Sequence, residues 1–290
     1  MTERRRCRLG AWGAVLSSIV IFLTGCGSAR YSALERSASF VPYRSLRVEQ
    51  LSLQDYLGNG CGILLEGLHF SDADSSVSGP ESEGDTVVSD GAWSIGTAAA
   101  VDQRGYFVTA AHCVDGGDPS IVFPSSEGPK VRKARVVWMG DLKEGGMDFA
   151  LLHVPTHLDQ VFHWASESDG EQIVISAGAT LEMNRDANNN LDVEIRIEPV
   201  AGQLFKTLNM SEPGVGYQVI LHDSPVVKGY SGGPLVDQSG RLLGINSNGS
   251  SRIPLRWNDR SRFANAIRPN LDWLTALINH DQRSKVDLDE

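Results

Sequence analysis

Short apolar runs separated by turn residues recur along most of this 290-residue chain. Five of them, each four or five residues long, occupy residues 105–108, 135–138, 149–152, 172–175 and 217–221. These lengths suit β-strands, and no long helical period interrupts the series before the C-terminus. The pattern predicts an all-β domain, built as a sandwich or a barrel.

The two flanks of this region have a different composition. Residues 71–90 are mostly Ser, Gly, Asp and Glu, which cannot bury enough apolar surface to order themselves, so we expect a linker there. Near the C-terminus, Asn270 can cap a helix whose apolar stripe comprises Leu271, Leu274, Leu277 and Ile278. The sequence therefore predicts an N-terminal segment with linker at 26–91, a domain at 92–280 with a helix at 271–279, and a polar tail at 281–290.

The N-terminus has the composition of a secretory signal. An Arg-rich start precedes an apolar run over residues 9–23, which is too short to span a bilayer comfortably. The run ends in Leu23-Thr24-Gly25-Cys26, which resembles the lipobox of bacterial lipoproteins. That resemblance implies cleavage before Cys26, acylation of Cys26, and stable anchoring to a membrane of the cell envelope. Gly27 favours the outer membrane, with the folded domain periplasmic or extracellular; the alternative is an ordinary signal peptide with an incidental cysteine.

The charge of the exported chain argues against a nucleic-acid partner. Residues 1–25 carry four Arg and one Glu, so of 26 basic and 36 acidic residues the remainder keeps 22 and 35, a formal net charge of −13. Binding to phosphates requires a basic surface, which this composition does not supply.

Three segments carry residues suited to nucleophilic catalysis. Ser231 lies in Lys-Gly-Tyr-Ser-Gly-Gly-Pro at 228–234, and His112 ends Val-Thr-Ala-Ala-His at 108–112. A serine hydroxyl needs a neighbouring base to take its proton, and glycines allow the sharp backbone turn that exposes it. Asp148 lies among Phe, Ala and Leu, where a carboxylate is costly unless it is paired. Together these residues predict a serine nucleophile, a histidine base and a supporting carboxylate.

His112, Asp148 and Ser231, in this order, resemble the trypsin-like (chymotrypsin-fold) serine peptidases. The resemblance implies two packed antiparallel β-barrels, at about 92–160 and 165–265, with the active site between them. It also implies that Ser231 attacks the scissile carbonyl, that His112 transfers the proton and that Asp148 orients the imidazole. The backbone N–H groups of Gly229 and Ser231 would then form the oxyanion hole.

A more local resemblance is to the HtrA-like bacterial branch, here without its PDZ domains. It rests on Asp223, eight residues before Ser231, and on Gly244-Ile245-Asn246 after it. The implied activity is endoproteolysis of proteins or peptides in the cell envelope, with no cofactor. The alternatives are a catalytically silent binding lipoprotein on the same scaffold and a quality-control sensor with latent activity.

The chain departs from the family pattern beside both motifs. Tyr230 replaces the Asp that pairs with a new N-terminus in animal members, so no such zymogen cleavage is expected, and Tyr230 is a candidate to block or reshape the site. Thr97 stands where those members have the disulfide partner of the cysteine in the histidine motif. Cys113 can instead bridge to Cys61 or remain a free buried thiol.

The specificity of the site is only weakly indicated. Pro225 occupies the position six residues before the nucleophile, where trypsin has an acidic residue, so we expect a preference for small or medium apolar side chains. By resemblance, the segment containing Asn246, Ser247 and Asn248 lines the substrate groove through backbone pairing. We expect no metal site, because the acidic segment 186–192 lacks the Gly and Glu of a calcium loop and no zinc ligand set is apparent.

Overall fold

The computed structural model describes residues 45–67, 69–70, 87–88, 94–126, 128–142, 146–166, 172–185, 191–212, 214–247 and 264–286. Residues 1–25, Cys26 and Asn248 therefore lie outside the described residues, as do most of the expected linker at 71–90 and the segment 186–190. Within the described ranges no helix is both long and apolar enough to cross a membrane.

The described elements are mostly strands. In chain order they are β1 Arg47–Val48, β2 Leu51–Ser52, α1 Leu53–Gly60, β3 Cys61–Glu66, β4 His69–Phe70, β5 Val87–Val88, β6 Ser94–Asp102, β7 Tyr106–Thr109, β8 Ser120–Phe123, β9 Lys130–Lys133, β10 Arg135–Met139, β11 Ala150–His153, β12 Gln172–Arg185, β13 Leu191–Glu212, β14 Val215–His222, β15 Pro234–Val236, β16 Leu242–Ser247, β17 Ala264–Pro269 and α2 Leu271–Val286. A short 3₁₀ turn, Ala111–Cys113, follows β7.

Two antiparallel sheets carry the fold. The first has seven strands in the order β10-β11-β7-β6-β3-β8-β9, and the second is a closed six-stranded barrel in the order β12-β13-β14-β17-β16-β15. Each has its own apolar interior, one containing Phe107 and Leu152 and the other Ile220 and Leu243. A third cluster, which includes Val108, Leu151, Ile245 and residues of both helices, joins the sheets. The expected all-β fold of two packed antiparallel halves with a C-terminal helix is confirmed.

The first sheet begins earlier in the chain than the expected boundary at residue 92. β3 lies in the middle of this sheet, pairing with β6 from Cys61↔Ala99 to Glu66↔Ser94 and with β8 on its other side. The preceding helix α1 is capped by the Ser52 hydroxyl, which accepts from Asp55 N–H, and buries Leu53 and Leu57 in the cluster between the sheets. The boundary at 92 was wrong because the apolar run 61–65 is a central strand whose partners come later in the chain.

The C-terminal helix α2 is longer than expected. Asn270 caps it as predicted, accepting from Trp273 N–H at 2.9 Å, but the helix continues to Val286 through part of the expected polar tail. Asp281 explains the extension, since it accepts hydrogen bonds from Tyr106 Oη at 2.7 Å and from Arg135 at 2.8 Å. These hydrogen bonds attach the last turns of α2 to β7 and β10 of the first sheet.

Candidate active site

His112 is held by Asp148 at two points. The His112 backbone N–H donates to Asp148 Oδ1 at 3.0 Å, and the ring Nδ1 lies 2.8 Å from Asp148 Oδ2. Strand pairing explains why these residues meet: β7 and β11 are antiparallel with Thr109 opposite Ala150, so the chain just after β7 adjoins the chain just before β11. The imidazole is 34% exposed, and its Nδ1 faces the carboxylate.

The Asp148 carboxylate has a further partner from the second barrel. Ser247, the last residue of β16, donates its hydroxyl to Asp148 Oδ2 at 2.5 Å. Burial, the largest influence, raises the pKa of Asp148, but the hydrogen bonds and charge of His112, together with the Ser247 hydrogen bond, outweigh it and hold that pKa below its usual value. The carboxylate is therefore ionised at neutral pH.

The contact with Asp148 also changes the acid–base properties of His112. Its hydrogen bond to Asp148 is the main cause that raises the pKa of His112 to about 10, with a smaller contribution from Cys113 and with burial opposing the shift. A neighbouring carboxylate favours the protonated ring. The pair can thus accept a proton on the imidazole and stabilise the imidazolium that results.

Ser231 is the second residue of a tight turn over 230–233, which directly follows another tight turn over 227–230, and each turn has a glycine in its third position. Tyr230 N–H donates to Val227 C=O at 3.0 Å, and Gly233 N–H donates to Tyr230 C=O at 2.9 Å. Gly229 has φ +96° and Gly232 has φ +80°, values that type II turns require at this position and that side chains disfavour. Ser231 itself is buried, with 8% of the residue exposed.

Two backbone donors at Ser231 have no hydrogen-bond partner in the part of the chain that the structure describes. Neither the Gly229 N–H nor the Ser231 N–H donates to any described residue. The carbonyls of the same two residues, in contrast, are both bonded: the Gly229 C=O accepts from Ala179 N–H at 3.2 Å, and the Ser231 C=O accepts from Thr97 N–H at 2.9 Å. The loop can therefore offer two N–H groups to an oxygen atom.

The segment that carries His112 and the turn that carries Ser231 both lie against Gly96 of β6. A Cβ placed on Gly96 would lie 3.1 Å from Cys113 Sγ and 3.3 Å from the Ser231 carbonyl oxygen. This contact brings the residue next to His112 close to Ser231, as the sequence predicted for the two motifs. Among the described residues no hydrogen bond joins Ser231 Oγ to His112, and such contacts commonly tighten only when substrate binds.

Tyr230 does not obstruct the site. Its side chain is 2% exposed and packs on the backbone of β12, where a Cβ on Gly178 would lie 2.5 Å from Tyr230 Cγ. Gly178 therefore provides the space that the ring occupies. The possibility that Tyr230 blocks the site is thereby excluded.

The two described cysteines are free thiols, and both are buried. Cys61 belongs to the cluster between the sheets, whereas Cys113 belongs to the interior of the first sheet. The bridge that the sequence allowed is thus absent, because the sheet separates the two side chains. Burial raises the pKa of Cys61 above its usual range, so that its thiol stays protonated.

Two of the expected groove residues have internal roles. Asn246 is wholly buried; its N–H donates to Gly233 C=O at 2.8 Å, and its C=O accepts from Gly232 N–H at 2.7 Å. Its backbone therefore supports the Ser231 loop, and the expectation that it lines the groove was wrong. Ser247 contacts Asp148 as described above, while Pro225 is half-buried in the segment between β14 and the Val227 turn.

The sequence did not predict that Thr97 would bond the Gly229 carbonyl or that the Ser247 hydroxyl would bond Asp148. Neither residue belongs to a local motif, and each acts on residues more than 90 positions away. The absence of the family cysteine at Thr97 was the one available signal. In the described part of the chain no group of three or more His, Cys, Asp or Glu side chains is arranged to hold a metal ion.

Comparison with known proteins gives one match to a protein family. The model of the trypsin-like peptidase domain matches residues 96–245, a range that includes His112, Asp148 and Ser231. No curated protein sequence matches the chain.

Several solved structures are similar to the chain. A serine endoprotease from Yersinia pestis is 15% identical with a TM-score of 0.44, covering 80% of this chain and 64% of its own. The HtrA-type protease AlgW, bound to a tripeptide, is 18% identical with a TM-score of 0.47, covering 79% and 63%. The Rv3671c protease from M. tuberculosis H37Rv, in an inactive form, is 17% identical with a TM-score of 0.45, covering 74% and 86%. The chain spans less than two thirds of the length of the first two.

Proposed function

Because the chain belongs to the trypsin-like peptidase family, we propose that it is a serine endopeptidase that uses Ser231, His112 and Asp148. The observation that carries the proposal is the two-point contact of Asp148 with His112, at 3.0 Å and 2.8 Å, in a chain that also holds Ser231 in a turn with glycine at its third position. This contact orients the His112 imidazole, whose neighbour Cys113 and the Ser231 carbonyl both lie close to Gly96.

Proton transfer by His112 would activate the nucleophile. Ser231 Oγ attacks the scissile carbonyl while His112 Nε2 takes the hydroxyl proton, and the resulting imidazolium then protonates the leaving amine. Water attacks the acyl-enzyme in a second cycle of the same proton transfers. Asp148 favours the tautomer with the proton on Nδ1, which leaves Nε2 free to accept.

Charge that develops on the substrate oxygen would be met by the Gly229 and Ser231 N–H groups. They donate to no described residue, which supports their assignment as the oxyanion hole. Such a donor typically lowers the barrier by about 3–4 kcal/mol. No step of this mechanism calls for a metal ion or an organic cofactor.

The second candidate function is a catalytically silent protein that binds peptides on the same scaffold. The observation that favours it is the lack of a hydrogen bond between Ser231 and His112 in the described residues. The two candidates differ in turnover alone, since both bind peptides in the same cleft.

Cleavage of a peptide library by the purified protein, with products identified by mass spectrometry, separates these candidates. For the peptidase, we expect cuts that disappear together in Ser231→Ala and in His112→Ala. Peptide binding without cleavage by folded wild-type protein would favour the silent binder. Cuts that persist in Ser231→Ala would come from a contaminant and leave the proposal without support.

We further propose that the protein is a lipoprotein anchored through Cys26 in the bacterial cell envelope, where its substrates would be proteins or peptides. The support is the apolar run that ends at Leu23-Thr24-Gly25-Cys26, followed by Gly27. Two or more acyl chains hold a protein stably at a membrane. The peptidase domain would then work on the periplasmic or extracellular side.

A further inference from the structure

Thr97 lies on β6 of the first sheet, yet it bonds mainly to the second barrel. Its side chain is wholly buried, and its Oγ1 donates to the Gly229 C=O at 2.7 Å while accepting from the Ala179 N–H at 2.8 Å. Its backbone N–H donates to the Ser231 C=O at 2.9 Å. Thr97 therefore donates to the carbonyls of both Gly229 and Ser231. The N–H groups of these same two residues are the proposed oxyanion donors.

The Gly229 turn needs this support because of the glycine itself. The φ of +96° and the approach of Ala179 O, which would lie 2.1 Å from a Cβ, exclude any other residue at position 229. Glycine, however, has no side chain to restrict its backbone, so it adopts other conformations about as easily. The N–H of Gly229 keeps its direction only if neighbouring groups fix the peptide that follows it.

The Tyr230 N–H of that peptide donates to the Val227 C=O at 3.0 Å, and two donors bond its carbonyl. The Gly229 C=O accepts from Thr97 Oγ1 at 2.7 Å and from Ala179 N–H at 3.2 Å, and Ala179 N–H also bonds the threonine hydroxyl. The three groups thus close a small buried network in which the hydroxyl both donates and accepts. Hydrogen bonds of this kind reinforce one another in a buried setting, and loss of the hydroxyl would leave the Gly229 C=O with only the longer hydrogen bond from Ala179 N–H, at 3.2 Å.

A second threonine extends the network toward His112. Thr109, three residues before the histidine, donates its hydroxyl to the Thr97 C=O at 2.7 Å and is also wholly buried. Gly232, the residue after Ser231, fits against both threonines, since a Cβ there would lie 2.0 Å from Thr109 Oγ1 and 2.1 Å from Thr97 O. β7, which leads to His112, and the turn that carries Ser231 therefore both contact Thr97.

We propose that the Thr97 hydroxyl is a positioning group that holds the Gly229 N–H in the direction needed to bind the oxyanion. The inference rests on the proposed peptidase function. The hydroxyl touches no reacting atom; it acts through the Gly229 carbonyl. Thr97 therefore joins the first sheet to the turn that contains Gly229 through hydrogen bonds. By resemblance, animal members of the family have a cysteine at this position.

Thr97→Val is the informative substitution, because valine keeps the shape of threonine and removes only the hydroxyl. We expect kcat to fall by about tenfold or more, toward the 10²–10³-fold effect of losing an oxyanion donor, with KM little changed. Thr97→Ser, which restores the hydroxyl, should return kcat to within about threefold of wild type. Thr180→Val is the matched control: Thr180 follows Ala179 on β12, and its hydroxyl donates to the Arg196 C=O at 3.4 Å rather than to the Gly229 turn.

A peptide aldehyde separates this role from a general loss of structure, because it forms a tetrahedral adduct with the serine whose oxygen occupies the oxyanion hole. We expect Thr97→Val to weaken aldehyde inhibition by about tenfold or more, and to leave the affinity for the corresponding peptide amide within about twofold. A ratio of two affinities does not depend on the fraction of protein that is folded. Thr97→Ala, which leaves a small cavity, should show the same ratio and replaces the valine variant if that variant does not fold.

Two outcomes would overturn the inference and are distinct from failure of the proposed function. If wild type cleaves peptides and Thr97→Val keeps both its kcat and its aldehyde affinity, the hydroxyl has no positioning role. If Thr97→Val weakens aldehyde and amide binding equally, its effect is on the cleft as a whole. If wild type neither cleaves peptides nor forms the aldehyde adduct, it is the proposed function that fails.

Discussion

Ser247 and Asp148 meet across the two halves of the molecule, with the serine hydroxyl 2.5 Å from Asp148 Oδ2. Asp148 precedes β11 of the first sheet, and Ser247 ends β16 of the second barrel, so this hydrogen bond forms only when both halves are folded and packed. The carboxylate that orients His112 is therefore itself oriented by the barrel that carries Ser231.

Removing that hydroxyl should weaken both stability and activity. Ser247→Ala deletes a hydrogen bond to a charged, largely buried carboxylate, which is worth about 1.5–3 kcal/mol, and the pKa of Asp148 should rise because one of its lowering contacts is gone. We expect urea denaturation at pH 7 to show a loss of this size, together with a lower kcat. Ser120→Ala, at a buried serine on β8, is the control. An equal loss in both variants would mean that Ser247 is an ordinary buried serine.

The pairing of His112 with Asp148 predicts a specific change in the pH profile. The carboxylate raises the pKa of His112, and a general base works only when neutral, so kcat/KM should rise with pH into the alkaline range. Asp148→Asn removes the charge that favours the imidazolium. The acid limb of kcat/KM should therefore move to lower pH, while kcat falls by about 10⁴-fold because the tautomer is no longer held. A profile that stays in place in Asp148→Asn would contradict the proposed pairing.

His222 predicts how stability depends on pH. It is wholly buried at the end of β14, neither ring nitrogen has a hydrogen-bond partner among the residues that the structure describes, and burial lowers the pKa of His222 to about 3. Below pH 6.5 the unfolded chain binds a proton that the folded protein excludes. The contribution of His222 to stability is therefore full above pH 6.5 and falls as the pH drops from 6.5 toward 3, at up to about 1.4 kcal/mol per pH unit.

Two substitutions at His222 test this prediction by denaturation at several pH values. His222→Gln and His222→Leu both remove the titrating group, so each should flatten the decline below pH 6.5. Only the leucine variant should also be more stable than wild type at pH 7, since it replaces two unpartnered buried nitrogens by apolar atoms, a change worth about 1–3 kcal/mol. An unchanged decline in both variants would assign the acid sensitivity to other groups.

The proposed acylation of Cys26 predicts a membrane-bound protein. In a bacterial host the full chain should fractionate with membranes and enter the detergent phase on phase separation, because the acyl chains would be the anchor. Cys26→Ser should release the protein into the soluble fraction without changing its peptidase activity, since Cys26 lies well outside the family-matched range 96–245. Wild-type protein found entirely in the soluble fraction would contradict the lipoprotein proposal.

The features recognised from sequence are those that local chemistry determines. The glycines around Ser231 indicate sharp turns, and the structure has positive φ at Gly229 and Gly232. Asn270 was identified as a helix cap because capping involves residues three positions apart. The short apolar runs likewise predicted strands because each run reflects the burial of its own side chains.

The features that were missed depend on contacts between distant segments. β3 was left outside the domain because its neighbours β6 and β8 begin about 30 and 60 residues later. Asn246 was expected in the groove, whereas the register of β16 turns its backbone toward the Ser231 loop. Thr97 and Ser247 acquire their roles only from the packing of the two halves, which no local pattern encodes.

The most direct test of the account is reaction of the purified, folded protein with a fluorophosphonate, a reagent that phosphonylates activated serines. The account predicts stoichiometric labelling, mapped by peptide mass spectrometry to Ser231 and abolished in His112→Ala, in which Ser231 itself is intact. Absence of labelling in folded wild-type protein, or equal labelling of wild type and His112→Ala, would contradict the claim that His112 activates Ser231.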